Sequence, residues 1–561
     1  MKEKSLIGIE NDHARALILG SLVISVLCLA FVARHRLGVF DPFSVPIFWH
    51  LLITHDFWAA LLILGLLAVA CLARDARPAE FVVRSLSRHP YIVSSAAFVA
   101  FSIGAVLVYR DYPLSMDEYS SRFQSEVFAA GQLTAAFPPE FLDWLVPRPF
   151  QSKFLIAFRP SGQVVSYFMP GFSLLLTPFT YLGVPWACNP ALGALSVLAI
   201  HRLACELAGT EEAGGWAMLF ALASPAFSIN AMSYYSMSAN LLFASCFALL
   251  LLTPTPRRAF LAGLIGGFAV AMHSPPAHVL FAAPWVIWLL LRREFLCVGA
   301  LALGYSPFVL GLGAGWLWML GDLRGGAAHH TAAGGVAKGG SYIFGWLAAI
   351  GKLMAPPDLN TLNIRAAGLV KLWLWAVPGL PLLAWLGFRT GMMDTRYRLL
   401  LASAATTFFG YFLIPFDQGH GWGYRYFHTA WSVLPVLAAV AMVRRSVWPQ
   451  VQARLVAQAG ALAFAGLLLL TSLRIFQVDG FIDRHLAQVQ LPDAQTAQVA
   501  FIDTDQGYYT IDMVQNHHRM KGGSLVMVSH GAEQNALMAR KLSPSARLIS
   551  AGTWGELWSL E

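Results

Sequence analysis

Two adjacent carboxylates, Asp117 and Glu118, lie in the stretch YPLSMDEYSSRF, directly after a long apolar segment. Ser115 and Glu118 have the S-x-x-E spacing of a capping box, which predicts that a helix begins here. Apolar residues then recur at helical spacing from Tyr119 to Ala130. We therefore expect the acidic pair in the first turn of a short amphipathic helix.

This helix start has two interpretations. Carboxylates in a first turn complement the helix dipole, and that structural role alone would explain the pair. A carboxylate at a helix N-terminus also favours its ionised form, which suits a general base that removes a proton from a hydroxyl. At a membrane surface such a base could serve a lipid-borne donor and an acceptor arriving from outside.

Further polar candidates follow along the chain. In DQGHGWGYRYFH, Arg425 lies between Tyr424 and Tyr426. An interfacial aromatic belt with a snorkelling arginine would produce the same pattern. The guanidinium fork also matches phosphate oxygens, so a phosphate site is the functional alternative. The turn HSPPAH, from His273 to His278, could bind phosphate or sugar, or could hold ordinary turn histidines.

Composition places these residues in a membrane protein. The 561 residues are 57% hydrophobic and 12% charged, whereas soluble domains are about 25% charged. The mean hydropathy is +0.59. The net charge of +8 gives no reason to expect nucleic acid as a partner, because Lys and Arg fall mostly in short clusters between apolar runs. The six cysteines lack the spacing of a zinc site or of a disulfide framework.

Apolar runs long enough to cross a bilayer predict about thirteen transmembrane helices. The runs are 16–33, 57–73, 91–109, 188–208, 214–232, 239–253, 259–273, 276–291, 295–319, 367–388, 398–416, 428–443 and 455–475. The stretch 166–184 contains Pro170, Gly171 and Pro178, so we expect it to lie at the surface or re-enter rather than span.

The basic clusters predict the orientation, because cytoplasmic loops are enriched in Lys and Arg. The clusters are Arg74 to Arg88, Arg257 and Arg258, Arg292 and Arg293, Arg389 to Arg398, and Arg444 and Arg445. Placing them inside puts the N-terminus in the cytoplasm and the C-terminus outside. The segments 110–187, 321–341 and 417–426 are then external.

The chain after about residue 476 changes character. QVAFID and SLVMVSH predict short strands, and GAEQNALMARKL predicts a helix before ARLISAG. We therefore expect a small external α/β module. The predicted domains are 1–90, with extra transmembrane helices and a cytoplasmic connector, 91–475 as the transmembrane core with loop 110–187, and 476–561 as the module.

The order of these features resembles a known family. A spanning helix, MDEYSSRFQSEVFAAGQL, a loop rich in proline and aromatics, YFMPGFSLLLTPF, many spans and GYRYF follow one another. This order is similar to that of the bacterial GT-C glycosyltransferases, the broad family of protein O-mannosyltransferases and lipid A aminoarabinose transferases. The resemblance covers roughly residues 90 to 475, and the Asp-Glu pair in the first large external loop is its most specific element.

The resemblance implies sugar transfer from a polyprenyl-phosphate donor to an acceptor hydroxyl, with inversion at the anomeric centre, on the periplasmic face of a bacterial inner membrane. The acceptor could be a lipid, a glycan or a protein. In that family the acidic pair supplies the base, which matches Asp117 with Glu118 beside it. A leaving phosphate needs positive charge. The candidates for it are Arg425 first, then Arg148, Lys153 and His273, and the candidates for substrate contact are Tyr119, Arg122, Tyr424 and Tyr426.

The chain departs from the family at two positions. Phe168-Met169-Pro170-Gly171 stands where many relatives have a His-Pro-Pro-like turn, and His273 stands where many have Arg. Both departures concern contacts to the acceptor and the phosphate.

Cofactor and class stay open at this stage. The loop acids Glu126, Glu140 and Asp143 could help to hold a divalent cation, and His329 with His330 form another candidate metal pair. No cofactor is required if one acidic pair acts as the base. A lipid-linked sugar flippase or transporter and a non-catalytic scaffold in envelope assembly are the alternatives.

Overall fold

The computed structural model describes residues 12–328, 351, 354–443, 449–493, 496–520 and 524–561. Residues 329–341 of the expected external segment, with His329 and His330, and also Arg444 and Arg445, lie outside these ranges. Within the described ranges the chain is mostly helical.

The helices that precede the segment 329–350 are α1 Asp12–Leu37, α2 Ile47–Cys71, α3 Arg77–Arg88, α4 Pro90–Leu107, α5 Met116–Ala129, α6 Leu142–Leu145, α7 Gly171–Tyr181, α8 Cys188–Ala208, α9 Glu211–Leu222, α10 Pro225–Asn230, α11 Met237–Leu251, α12 Pro256–Val270, α13 Pro275–Leu291, α14 Phe295–Phe308 and α15 Trp316–Ala328. Those that follow it are α16 Leu359–Leu374, α17 Leu380–Gly391, α18 Thr395–Gly410, α19 Val433–Val443, α20 Pro449–Ala465, α21 Thr471–Leu486 and α22 Ala532–Leu542.

Six helices in the described residues are long and apolar enough to cross a membrane. They are His13–Leu37, Ile47–Cys71, Pro90–Leu107, Pro185–Ala208, Phe295–Leu323 and Ala453–Leu486, the last two continuous through π-helical turns. Shorter apolar helices are Met237–Leu251, Pro275–Leu291 and Val433–Val443. The chain is therefore a multi-span membrane protein. The count of thirteen spans stays a prediction.

Two predicted apolar runs are interrupted. The run 214–232 forms α9 and α10, with a break before Pro225, which starts α10 where a missing N–H costs no hydrogen bond. The run 367–388 is broken between α16 and α17, where Gly379 has a φ of +82° that favours glycine. Apolar composition alone could not reveal either break.

A buried charge cluster fixes three helices of the core. Asp56, in the π-helical turn of α2, pairs with Lys371 of α16 at 3.0 Å and with Arg474 of α21 at 2.7 Å. The indole N–H of Trp375 donates to the same carboxylate at 2.7 Å. Each charged side chain is at most 1% exposed.

Two of the predicted basic clusters meet at one end of the helices. Glu206, near the end of α8, lies 3.5 Å from Arg258, and its backbone carbonyl accepts from Arg396. The hydroxyl of Tyr397 donates to the carbonyl of Leu207. The loops before α12 and α18 therefore share one end of the molecule, in agreement with the common side that the charge pattern predicts.

The segment 110–187 forms a compact layer. It contains α5, a small antiparallel sheet of order β1-β3-β2, and α7. The strands are β1 Ala135–Ala136, β2 Leu155–Phe158 and β3 Gln163–Ser166. Helix α7 has 11 residues, about 16 Å at 1.5 Å per residue, which is too short to span a bilayer. The prediction of a non-spanning segment here is thus supported by helix length.

The chain end forms the expected α/β module with two strands more than the two predicted. The strands β4 Gln498–Ile502, β5 Ser524–Val528, β6 Arg547–Gly552 and β7 Gly555–Ser559 form a sheet of order β5-β4-β7-β6. Strands β4 and β5 are parallel, and the other pairs are antiparallel. Helix α21 runs through residue 476 as far as Leu486. The domain boundaries themselves stay a prediction.

The module shares a hydrophobic core with the first loop. Phe123 of α5 and Leu145 of α6 belong to the same buried cluster as Phe501 of β4 and Met527 of β5. Burial of large apolar side chains across this junction stabilises it, at about 25 cal/mol for each Å² removed from water. The module therefore packs directly on the helix that carries Asp117 and Glu118.

Candidate active site

Helix α5 begins at the predicted place, but its cap differs from the expected capping box. Ser115 has the extended backbone of an N-cap, yet its hydroxyl lies 2.9 Å from the hydroxyl of Tyr235 and does not cap the helix. The Glu118 carboxylate reaches back to the N–H of Leu114 at 2.9 Å, one residue before the expected donor. The reason is Tyr235, which takes the hydroxyl that would otherwise cap.

Glu118 holds two chain segments together. One carboxylate oxygen accepts from Leu114 and the other from the N–H of Tyr234 at 2.9 Å. The side chain is fully buried. Burial raises the pKa of Glu118 to about 8, although the two backbone donors oppose this shift. Glu118 thus holds the backbone at Leu114 and at Tyr234 in place.

Asp117 forms an ion pair across the molecule. Its carboxylate accepts from the guanidinium of Arg425 at 2.9 Å, although 308 positions separate the two residues. The Asp117 side chain is 23% exposed and that of Arg425 is 12% exposed. The first loop and the turn of residues 417–426, which carries Arg425 and is called the re-entry turn, therefore meet at a partly open carboxylate.

Arg425 is positioned by backbone and aromatic contacts. One guanidinium nitrogen donates to the carbonyl oxygens of Gln418 and His420, and the guanidinium lies 4.1 Å from the ring centroid of Tyr235. At Gly421 φ is +134°, and an added Cβ would overlap the Arg425 side chain. A glycine is therefore required beside this arginine.

Tyr235 and His420 extend the polar network. The Tyr235 hydroxyl lies 2.7 Å from Nδ1 of His420 and 2.9 Å from the Ser115 hydroxyl. Burial lowers the pKa of His420 well below its usual value, with nearby cationic side chains acting in the same direction. The neutral ring can therefore exchange a hydrogen bond with Tyr235 without adding positive charge beside Arg425.

The C-terminal module adds a third carboxyl group. Asp512 lies in the short helical turn Thr510–Met513 and is 9% exposed. Burial raises its pKa well above the usual value, and the charges of Asp117 and Glu118 act in the same direction. A neutral carboxylic acid at this place can donate a hydrogen bond, which the carboxylate Asp117 cannot.

His273 lies at the edge of the same site. Its ring stacks on Phe168 with centroids 3.8 Å apart. Burial lowers the pKa of His273 to about 4; the charge of Asp117 opposes this shift, and that of Arg425 adds to it. The backbone of the FMPG segment also pairs with the turn, since the N–H of Gly171 donates to the carbonyl of Ala271 at 2.8 Å. The segment Phe168–Gly171 and the turn at His273, where the chain departs from the family pattern, therefore contact each other.

The other phosphate candidates lie elsewhere in the loop. Arg148 is mostly exposed and pairs with Asp143 at 2.8 Å, and Arg159 pairs with the same carboxylate at 2.7 Å. Lys153 is exposed in the turn before β2. The structure therefore brings Asp117, Arg425 and His273 together, and it does not bring Arg148 or Lys153 to them.

The candidates for substrate contact are engaged with protein groups. The Tyr119 hydroxyl donates to the carbonyl of Asn516 at 2.7 Å, and Arg122 donates to the Asp111 carbonyl at 2.5 Å. Tyr424 is buried against Gly368. The Tyr426 hydroxyl donates to the carbonyl of Asp417, and its ring stacks on Tyr411. Each of these four side chains therefore already contacts other groups of the protein.

The three acids considered for a divalent cation all have basic neighbours. Asp143 is neutralised by its two arginines, and Glu140 lies 3.8 Å from Lys541. Glu126 lies near Arg122 and two histidines of the C-terminal module. The loop acids therefore do not form one joint cluster.

Some members of the site carried no signal in the sequence. Tyr235 lies in an unremarkable polar stretch after α10, and Asp512 follows the predicted strand β4 without any motif. His420 lies in the DQGHGWGYRYFH segment, so its glycine neighbours offered a weak signal of a tight turn around Arg425. Long-range packing brings these residues together, and a local sequence pattern carries no information about such packing.

No protein-family model and no curated protein matches the chain. Solved structures do. The fold is similar to ArnT from Cupriavidus metallidurans bound to undecaprenyl phosphate, with a TM-score of 0.53 at 12% identity over 84% of this chain and 97% of that one. The apo state of ArnT gives 0.50 at the same identity and coverage. EmbB from Mycobacterium smegmatis gives 0.33 at 14% identity over 74% of this chain and 44% of that one.

The chain therefore has an ArnT-like fold. The resemblance that the sequence predicts is confirmed at the level of the fold, over most of the chain. At 12% identity the likeness concerns architecture, and the chemistry has to be argued from the residues of the site.

Proposed function

We propose that this protein is a membrane glycosyltransferase that moves a sugar from a polyprenyl-phosphate donor to an acceptor hydroxyl. The observation that carries the proposal is the Asp117–Arg425 ion pair. It joins the acidic start of the first-loop helix to the re-entry turn, within a fold similar to ArnT, which has been crystallised with undecaprenyl phosphate.

In the proposed reaction, Asp117 accepts the proton of the acceptor hydroxyl while the hydroxyl oxygen attacks C1 of the sugar. The bond between C1 and the phosphate oxygen breaks, and polyprenyl phosphate leaves with the bonding electrons. Attack opposite the leaving group inverts the anomeric centre. Arg425 supplies positive charge to the leaving phosphate, through donors that the two backbone carbonyls and Asp117 leave available.

The neighbouring groups have supporting roles in this proposal. Glu118 fixes the Tyr234 segment, and Tyr235 supports the guanidinium of Arg425 from one face. His273 is the second candidate for phosphate contact, because the charges of both Asp117 and Arg425 act on its ring. Arg148 and Lys153 are weaker candidates, since their exposed positions in the loop would require it to move.

We propose that the site faces the outside of a bacterial inner membrane, with about thirteen spans and a cytoplasmic N-terminus. Glu206, Arg258 and Arg396 mark the cytoplasmic end. An impermeant maleimide tests this orientation in intact cells. Ser161→Cys, on the exposed loop, is expected to react, whereas the exposed native Cys71 is expected to react only after lysis.

Transfer is tested with purified protein in lipid nanodiscs, offered a panel of polyprenyl-phosphate sugars together with lipid, glycan and peptide acceptors. We expect one donor to be consumed by the wild type, an inverted product by NMR, and almost no turnover by a folded Asp117→Asn variant. Unchanged turnover by the variant would remove Asp117 from the mechanism. Lipid-sugar translocation without transfer would favour the flippase alternative, and neither activity would favour the scaffold.

A further inference from the structure

A second polar cluster joins α5 to the C-terminal module, away from the ion pair. It consists of Glu126, in the last turns of α5, and His517 with His518, which precede β5. One potential ligand atom from each residue lies within 4.8 Å of the others. The Glu126 carboxylate oxygen Oε2 is 3.8 Å from Nε2 of His517 and 3.8 Å from Nδ1 of His518.

His518 points to a ligand that the protein itself does not supply. Its side chain is 5% exposed, and neither ring nitrogen makes a hydrogen bond within the part of the chain that the structure describes. Buried polar atoms almost always have a hydrogen-bond partner or a ligand. An unpaired imidazole beside a carboxylate therefore indicates that a further group, which both side chains could bind, belongs between them. At 3.8 Å the Glu126 oxygen is too far to be a hydrogen-bond partner.

The surroundings hold the cluster in place. Between the histidines and α5, Asn516 exchanges two backbone hydrogen bonds with the Tyr119 hydroxyl, at 2.7 and 2.8 Å. The Asn516 side chain also bonds both backbone groups of Val526 in β5. On the other side, Arg122 lies 3.7 Å from Oε1 of Glu126, which leaves Oε2 directed at the histidines.

We propose that Glu126, His517 and His518 form a zinc site. Two imidazoles and one carboxylate are a common donor set for Zn²⁺, and the fourth position takes water. Ligand atoms about 2.0–2.1 Å from a tetrahedral ion are roughly 3.3 Å apart, so the cluster needs to contract by only about half an ångström on each measured edge. His517 is partly exposed, which gives that water access.

Metal binding requires one rearrangement. Nδ1 of His517 accepts from the N–H of Arg519 at 3.2 Å. Zinc on Nε2 leaves the ring proton on Nδ1, so this bond has to open. Glu126 lies nine positions after Asp117 in the same helix, about 13 Å along its axis. The ion would therefore clamp the module to α5 and would not touch the reacting sugar.

A second cluster provides the control. His201, Cys205 and Glu211 also lie within 4.8 Å of one another. There the Cys205 thiol already contacts the Glu211 carboxylate at 3.4 Å, and His201 lies 3.6 Å from that carboxylate. No orphaned imidazole marks this group among the described residues.

The experiment uses the full-length, tag-free protein in detergent, stripped with EDTA and re-equilibrated with ZnCl₂. Bound zinc is counted by mass spectrometry, and affinity is measured by competition with a chromogenic chelator. We expect one zinc per chain, at least a tenfold loss of affinity in Glu126→Gln and His518→Asn, and no change in Cys205→Ser. Zinc is also expected to raise the melting temperature of the wild type and of Cys205→Ser only.

The proposal is overturned if the wild type retains no zinc, if both cluster variants bind it as the wild type does, or if Cys205→Ser abolishes binding. Should His518→Asn fail to fold, Glu126→Gln decides alone, because Glu126 is only partly buried and its change leaves the module core intact. Zinc content, zinc affinity and melting temperature do not depend on sugar transfer. The experiment can therefore support or refute the zinc site independently of the proposed activity.

Discussion

Asp56 and Asp117 both pair with cations, but they do so in different ways. Asp56 is completely buried between Lys371 and Arg474 and also accepts from Trp375. Asp117 has one charged partner, Arg425, and keeps 23% of its side chain exposed. Both pairs join parts of the chain that are distant in sequence, so connectivity does not distinguish them.

The two carboxylates differ in how many of their lone pairs remain available to another molecule. Asp56 has its charge and both oxygens engaged, and its removal would leave two buried cations without a counter-charge. Asp117 retains accessible lone pairs beside a single guanidinium. A fully engaged group can only hold structure, whereas a partly engaged one can also receive a proton. We therefore expect changes at Asp56 to act on folding and changes at Asp117 to act on turnover.

The largest effect on turnover is expected from Asp117→Asn. The amide keeps the shape of the side chain but cannot accept a proton, so the rate of sugar transfer should fall by about 10²- to 10⁴-fold, the usual contribution of a general base. The melting temperature should stay close to that of the wild type. The comparison fails if the variant unfolds, because Asp117 would then be a structural group like Asp56.

The converse is expected for Asp56→Asn. This change leaves Lys371 and Arg474 buried without a counter-charge, which typically costs about 3–5 kcal/mol. The yield of folded protein and the midpoint of unfolding in detergent should fall sharply. Any protein that does fold should transfer sugar at a near-normal rate. Thr54→Ala, a partly buried neighbour in the same π-helical turn, is a control for local disruption.

A smaller effect is expected from Arg425→Lys. The ammonium keeps the charge but cannot contact two carbonyls and a carboxylate in the fixed directions of a guanidinium. The loss of a charge-assisted hydrogen bond is worth about 1.5–3 kcal/mol, or roughly 10- to 100-fold in kcat/KM. Arg148→Lys, in the same assay, should change turnover little, and an equal loss in both variants would show that turnover does not depend on the particular position of Arg425 beside Asp117.

The same contrast explains what could be predicted from the sequence. The start of α5, the non-spanning stretch 166–184, two of the four strands of the module and the acidic pair follow from local spacing, proline and glycine positions and hydrophobic periodicity. Arg425 was recognisable because it lies between two tyrosines and its guanidinium fork matches phosphate oxygens. Signals of this kind are contained within about ten residues of chain.

Residues recruited by packing could not be predicted in this way. Asp512 lies near the site because the module packs on α5. The Ser115 hydroxyl does not cap α5 because it contacts the hydroxyl of Tyr235, which lies between α10 and α11. The fully buried Asp56 cluster was missed for the same reason, since its members lie on three separate helices. A single sequence contains no direct record of such distances.

A modest, pH-dependent effect is expected from Glu118→Gln. Burial raises the pKa of Glu118 to about 8 in the folded protein, above its value in the unfolded chain. Its contribution to stability is therefore complete below about pH 4.5 and declines as the pH rises through 8. Glutamine cannot accept hydrogen bonds from both backbone N–H groups with its single side-chain oxygen. At low pH the variant should therefore be less stable than the wild type.

The diagnostic quantity is the slope. Between pH 5 and 9 the melting temperature of Glu118→Gln should decline less than that of the wild type, so the gap between the two proteins narrows as the pH rises. Parallel curves would show that Glu118 is already ionised in the folded state, and its role beside Asp117 would have to be reconsidered.

The smallest effect is expected from Asp512→Asn, made with the same chemistry as the change at Asp117. Because burial and two neighbouring carboxylates raise the pKa of Asp512 well above its usual value, its carboxyl is neutral at pH 7, and an amide is a close copy of it. Turnover should change by less than about threefold. A loss as large as that of Asp117→Asn would mean that Asp512 is ionised during the reaction and shares the proton with Asp117, so the general base would be a pair of carboxylates contributed by the first loop and the C-terminal module.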